Sequence, residues 1–247
     1  MGDLLKGKRG LVMGVANDRS IAWGIAKALA GEGAELAFTY QGDMFAERVR
    51  PLAAQVGSDL LIDVDVTNDD SLDAAFGTLA DRWGKLDFLV HAIAFSNKDE
   101  LTGRFVNTSR ENFKNSLDIS CYSLIEVARR AHPLMAEGGS IITLTYGGSN
   151  RVTPFYNVMG VAKAALEATV RYLANDLGPD GIRVNAISPG EIDTAILSPG
   201  TDKIVEKLPM QRLGKTDEVA KAIYFLCTDA SSYVTGAELH INGGQHV

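Results

Sequence analysis

Cysteine is scarce in this chain: of 247 residues only Cys121 and Cys227 carry a thiol, which excludes a disulfide framework and a thiolate metal site. That scarcity predicts a reducing compartment, with both residues read as small core hydrophobes. No apolar run approaches the ~18 residues of a membrane span. Residues 1–6 lack the apolar stretch of a secretory leader, and Lys6 stands where a myristoylation signal wants Ser or Thr. Basic clusters are missing too: 24 Lys plus Arg are dispersed among 31 Asp plus Glu, a net charge of −7 that argues against nucleic acid as a partner. Repeats, low-complexity tracts and linker-like stretches are also lacking. The expectation is a single cytoplasmic domain over 1–247, without membrane or nucleic-acid partners.

What is present is ordinary core-forming material, 46% apolar with 25 Gly and 7 Pro, which sets disorder aside. Short β-rich runs at 9–14, 35–39, 60–64, 86–94, 140–145, 183–187 and 238–241 alternate with helical patterns at 21–31, 43–56, 69–83, 110–135, 157–177 and 216–228. Gly31 and Gly33, Asp69 near an N-cap, and Gly178-Pro179 mark helix boundaries. Strict alternation predicts an α/β fold of the Rossmann type: a doubly wound, seven-stranded parallel sheet with helices on both faces. In such folds the loops after the strands carry the chemistry.

The first strand runs through Gly14 and Ser20-Ile21 to Gly24 and straight into a helix. Glycine lets a phosphate approach the backbone, and a helix N-terminus offers free N–H groups. The common G-x-G-x-x-G spacing is absent, so a plain strand-to-helix turn remains an alternative. Thr39-Tyr40-Gln41 replaces the usual acid at the end of the second strand, and the Gln41 amide can hold a ribose hydroxyl in its stead. Asp65-Val66 after the third strand suits an adenine, and Ile93-Ala94 after the fourth a close approach of cofactor. His91, in an apolar strand, reads as a satisfied core histidine.

Tyr146 follows the fifth strand, while Tyr156 and Lys163 enter the next helix, seven residues and nearly two turns apart on one face. Gly14, Ser20-Ile21, Gln41, the stretch His91 to Phe95, Tyr146, the Tyr156-to-Lys163 segment and the stretch Arg183 to Ser188 together resemble the bacterial enoyl-[acyl-carrier-protein] reductases of the short-chain dehydrogenase/reductase superfamily. Ordinary superfamily members use Tyr-x3-Lys with an upstream serine. Here Met159 stands where their tyrosine would be and Tyr146 where their serine would be. The resemblance implies hydride transfer from a reduced nicotinamide to C3 of a trans-2-enoyl thioester, carried on acyl-carrier protein or coenzyme A, in fatty-acid synthesis. It implies that Tyr156 stabilises the enolate, Lys163 holds the nicotinamide ribose, and Tyr146 lines the acyl site and assists. By the same resemblance Gly14, Ser20, Ile21, Gln41, Asp65, Val66, Ile93, Ile192, Asp193, Thr194, Ala195 and Ile196 contact the cofactor, and Ser96 lies on the substrate side. No metal is implied. NADH is expected, because no basic residue follows Tyr40-Gln41 directly; Arg19 and Arg48 keep NADPH open.

After Pro189 the sequence looks instead like the 3-oxoacyl-[acyl-carrier-protein] reductases, in Pro209-x-x-Arg-Leu-Gly and in the run from Ser232 to Gly244. Residues 188–215 are expected to form a short substrate-binding loop region, with 188–201 mobile. Two other readings stay open: a carbonyl reductase, against which Met159 speaks because a thioether donates no proton, and a cofactor-binding scaffold without turnover. The resemblance further implies a homotetramer built through the long helices and the last strand, whose apolar face at 234–241 would otherwise be exposed.

Overall fold

Strands buried on both faces need apolar residues in unbroken runs, and Leu11, Val12 and Met13 satisfy that in the first strand. Leu11 and Met13 face one helical layer, and Val12 faces the other. The computed structural model describes residues 3–195 and 204–247. Its strands are β1 (Arg9–Met13), β2 (Glu35–Tyr40), β3 (Leu60–Asp63), β4 (Phe88–His91), β5 (Gly139–Leu144), β6 (Ile182–Pro189) and β7 (Glu238–Ile241). All seven lie parallel in one sheet, in the order β3-β2-β1-β4-β5-β6-β7. The order reverses between β1 and β4, where Met13 pairs with His91. At such a switch point the following loops part and leave a crevice at the carboxyl ends of the strands.

The helices are α1 (Ile21–Gly31), α2 (Gly42–Gln55), α3 (Asp69–Trp83), α4 (Arg110–Leu117), α5 (Ser123–Ala131), α6 (Val158–Leu177) and α7 (Thr216–Cys227). On one face α1, α2 and α7 bury Ile25, Leu29, Val49, Ile223 and Leu226 against Phe38, Phe88 and Ile142. On the other, α3, α5 and α6 bury Leu72, Leu79, Leu124, Leu166 and Val170 against Leu89, Ile141 and Val184. Gly10 has a steric reason to be glycine: a Cβ there would lie 1.8 Å from the Phe88 ring.

Three boundaries differ from expectation. The pattern at 110–135 is helical but interrupted by a π-type turn at Asp118–Tyr122 and closed by a 3-10 turn at His132–Leu134. The run at 86–94 yields a shorter strand, because the chain leaves the sheet after His91 to line the crevice. The expected mobile stretch at 188–201 begins instead as sheet: β6 continues to Pro189, and Gly190 N–H donates to Ile241 O at 3.0 Å. Residues 196–201, and Ile196 with them, lie outside the described residues. Asp69 lies next to the N-cap as expected: Asn68 caps α3, its side chain accepting from Ser71 N–H at 3.0 Å. Among the described residues no helix is long and apolar enough to cross a membrane.

Candidate active site

The crevice opens where β1 hands the chain to Gly14. Its φ of 93° and the 2.0 Å separation a Cβ would have from Ala92 O make glycine the residue that fits. Ser20 precedes α1 as its N-cap, but its hydroxyl turns back to donate to Asn17 O at 2.7 Å, so it tightens the turn rather than capping the helix. Gly24 serves packing: a Cβ there would sit 2.7 Å from the Thr216 side chain of α7.

A cleft of about 570 Å³ follows, lined by Gly14, Gln41, Asp65, Val66, Ile93 and Ile119 among others. The Gln41 side chain hydrogen-bonds Asp65, whose carboxylate also accepts from Thr67 N–H at 2.9 Å and Thr67 Oγ1 at 2.7 Å. Those Thr67 bonds, foremost, hold the Asp65 pKa below its ordinary value. Asp65 is the carboxylate of the cleft lining, and Asp63, outside that lining, accepts from Gly42 N–H at 2.9 Å. After β6 the chain runs on through Ile192, Asp193, Thr194 and Ala195. Ile192 is buried and bridges to Gly214, while Arg19 pairs with Asp193 at 2.9 Å and donates to Thr194 O at 3.1 Å. The expected cofactor contacts among the described residues thus fall along one edge of the sheet, with Ser20 and Ile21 at the start of α1.

Beyond β5 the turn at Gly148 packs on the first turn of α6. A Cβ on Gly148 would lie 2.5 Å from the Tyr156 ring, and one on Gly160 would lie 2.6 Å from Gly148 O. This close approach brings the Tyr146 and Tyr156 rings together, centroids 4.9 Å apart and tilted by 60°. Phe155 and Asn157, on either side of Tyr156, both hold positive φ, 59° and 36°. The Asn157 amide is anchored to Glu100 O at 3.0 Å. Burial raises the Tyr156 pKa, and the neighbouring Tyr146 and Glu167 add to the effect. Tyr146 is pushed up to about 12, by burial first and by Glu191 second, and its hydroxyl donates to Glu191 Oε1 at 3.0 Å.

Tyr156 itself precedes α6, whose first residue is Val158, so the two-turn helical spacing expected between Tyr156 and Lys163 is not realised. Lys163 lies buried within α6, its Nζ donating to Leu144 O at 2.6 Å. Burial lowers its pKa to about 8, against the opposing pull of Cys121 and Glu167. His91 is the core histidine the sequence suggests. It sits between Thr143 Oγ1 at 3.0 Å and Ser123 Oγ at 2.8 Å, held neutral with a pKa of about 3 by burial and then by Lys163.

A second cavity, about 770 Å³, adjoins through Ala94 and Phe95 and includes Ser96 and Met159. Ser96 accepts from Ser116 Oγ at 2.9 Å, and Asn97 N–H donates to Asn112 Oδ1 at 2.9 Å. The π-type turn contributes two residues that pattern reading missed: Ile119 enters the cleft, and Ser120 Oγ accepts from Phe95 N–H at 3.0 Å. Glu191 was missed as well.

A doubly wound sheet whose carboxyl edge joins a dinucleotide-sized cleft to a tyrosine just ahead of a helix and a buried lysine within it defines a short-chain dehydrogenase/reductase. The family profile described as Enoyl-(Acyl carrier protein) reductase matches residues 14–246, and the chain belongs to that family. It is 55% identical to Enoyl-[acyl-carrier-protein] reductase [NADH] 1 of Rhizobium meliloti (strain 1021), over 98% of this chain and 92% of the relative. Among solved structures, the enoyl-(acyl-carrier-protein) reductase of Anaplasma phagocytophilum in complex with NAD superposes with a TM-score of 0.94 at 48% identity, covering 100% of this chain and 94% of that one. The Bacillus cereus enoyl-acyl carrier protein reductase with NADP+ and indole naphthyridinone gives a TM-score of 0.96 at 48% identity, covering 100% and 98%. The family match runs through Pro189 to residue 246, across the place where the sequence resembles the 3-oxoacyl reductases.

Proposed function

We propose that this chain reduces trans-2-enoyl thioesters of fatty-acid synthesis with NADH, and that Tyr156, Lys163 and Tyr146 are its catalytic residues. The observation that carries the assignment is the Tyr146–Tyr156 ring pair set just ahead of the helix that buries Lys163, with Met159 at the position where a carbonyl reductase would need a proton donor. The Asp65 carboxylate in the cleft lining supports NADH over a 2′-phosphorylated dinucleotide. The residues present fit such a group: a glycine turn feeding a helix N-terminus, the Gln41–Asp65 pair, and a buried cation.

The reduced nicotinamide, when bound, supplies the hydride that adds at C3 of the enoyl group. Tyr156 keeps its proton throughout the working pH range, because burial disfavours the phenolate, and so presents an O–H donor to the thioester oxygen as negative charge develops there. Lys163 spends one of its three protons on Leu144 O and keeps two for the ribose hydroxyls, while its charge steadies the enolate. Ser96 lines the acyl side, next to Met159. The free thiols Cys121 and Cys227 suit a cytoplasmic enzyme working on acyl-carrier protein or coenzyme A thioesters.

Absorbance at 340 nm, followed with NADH or NADPH and with crotonyl or acetoacetyl thioester, tests this. NADH loss with the crotonyl substrate is expected, with Tyr156→Phe lowering kcat by roughly 10²–10³ while NADH still binds. Turnover confined to the acetoacetyl thioester would overturn the reading in favour of carbonyl reduction.

A further inference from the structure

The Tyr146 hydroxyl is already spoken for. It donates to Glu191 Oε1 at 3.0 Å, and the Gln245 side chain bonds the same phenol. Arg151 holds that tail in place by donating to Gln245 O at 2.5 Å. Glu191 is itself fixed at the root of the loop region: its carbonyl accepts from Gly214 N–H at 2.9 Å, and Asp193 N–H donates to Gly214 O at 2.9 Å. A phenol carries one proton, and one given to a carboxylate is not available to a thioester oxygen. No hydrogen bond within the described residues engages the Tyr156 hydroxyl. The two tyrosines, ring to ring, are therefore in opposite states of commitment.

We propose that Glu191 is a positioning residue for enoyl reduction: by accepting the Tyr146 proton it makes Tyr146 a fixed wall for the Tyr156 ring and leaves Tyr156 as the donor to the thioester. The inference rests on the reductase reading and assigns the two tyrosines different duties. It also ties that division of labour to the start of the loop region, since the Gly214 clamp holds the Glu191 backbone.

A double-mutant cycle tests it. Steady-state rates with NADH and crotonyl thioester are compared for the parent, Glu191→Ala, Glu191→Gln, Tyr146→Phe and Glu191→Ala/Tyr146→Phe, with NADH affinity measured by nucleotide fluorescence. Glu191→Ala is expected to lower kcat about tenfold with NADH affinity unchanged, as loss of a charge-assisted hydrogen bond would. Glu191→Gln, which keeps a carbonyl acceptor, recovers most of that rate. The double variant is no slower than Tyr146→Phe alone, because Glu191 acts through that hydroxyl. A double variant slowed by the product of the single effects, a Glu191→Ala enzyme as fast as the parent, or a Glu191→Gln enzyme as slow as Glu191→Ala would each overturn the proposal. A parent that binds NADH but leaves crotonyl thioester untouched would instead fail the reductase reading, and this inference with it.

Discussion

At the scale of single residues, Lys163 is the group whose state decides most. Its ordinary pKa is 10.5, and burial brings it to about 8. In the proposed mechanism the ammonium is the form that holds ribose hydroxyls and steadies an enolate, so kcat/KM for NADH is expected to be flat below pH 8 and to fall as pH rises through it. Lys163→Gln lowers the plateau and removes that limb; a pH-rate profile of both proteins checks it. The stability sign is opposite: the unfolded lysine keeps its proton up to about pH 10.5, so folding sheds one between pH 8 and 10.5 and stability rises across that window. The buried place of Lys163 on α6 was legible because helical periodicity is local, and so was the core role of His91, a polar residue within an apolar run. The place of Tyr156 was not, since it precedes α6 across the positive φ of Asn157 and meets Tyr146 through the turn at Gly148. Glu191 was not, since its bond to Tyr146 spans 45 residues of chain. The same holds for Asn112, which orders Asn97, and Ser120, which holds Phe95: neither lies at an interval that names its partner.

At the scale of elements, alternating pattern and turn residues made every strand and crossover helix readable, since each is set by neighbours in sequence. What escaped was produced by contact between elements. The π-type turn between α4 and α5 shifts the helical register by one residue and presents Ile119 and Ser120 to the cleft, which no hydrophobic pattern announces. β4 ends early because its chain must part from β1 at the switch point. Packing is equally specific inside the sheet. Gly10→Ala would thrust a methyl to within 1.8 Å of the fully buried Phe88 ring, and a loss of about 1–3 kcal/mol is expected. Thermal unfolding of Gly10→Ala, and of Gly10→Ala with Phe88→Leu, checks this: the second change should recover part of the loss, whereas an unaltered Tm in the single variant would refute it.

At the scale of the whole molecule, the sheet ends at β7, with Tyr233 and Leu239 exposed nearby, and α6 leaves Val161 and Tyr172 exposed. These are the surfaces that the proposed homotetramer, built through the long helices and the last strand, would cover. Size-exclusion chromatography with light scattering is expected to give four chains per particle; a monomer at micromolar concentration would refute the assembly. One further consequence reaches the molecule's evolution. Phe155 and Asn157 hold a backbone geometry that costs non-glycine residues on the order of 1–3 kcal/mol each, and they bracket Tyr156, the proposed donor to the thioester. Robustness and aim therefore pull in opposite directions at this turn. A lineage selected for heat tolerance alone would relax it early, gaining melting temperature while its turnover declined.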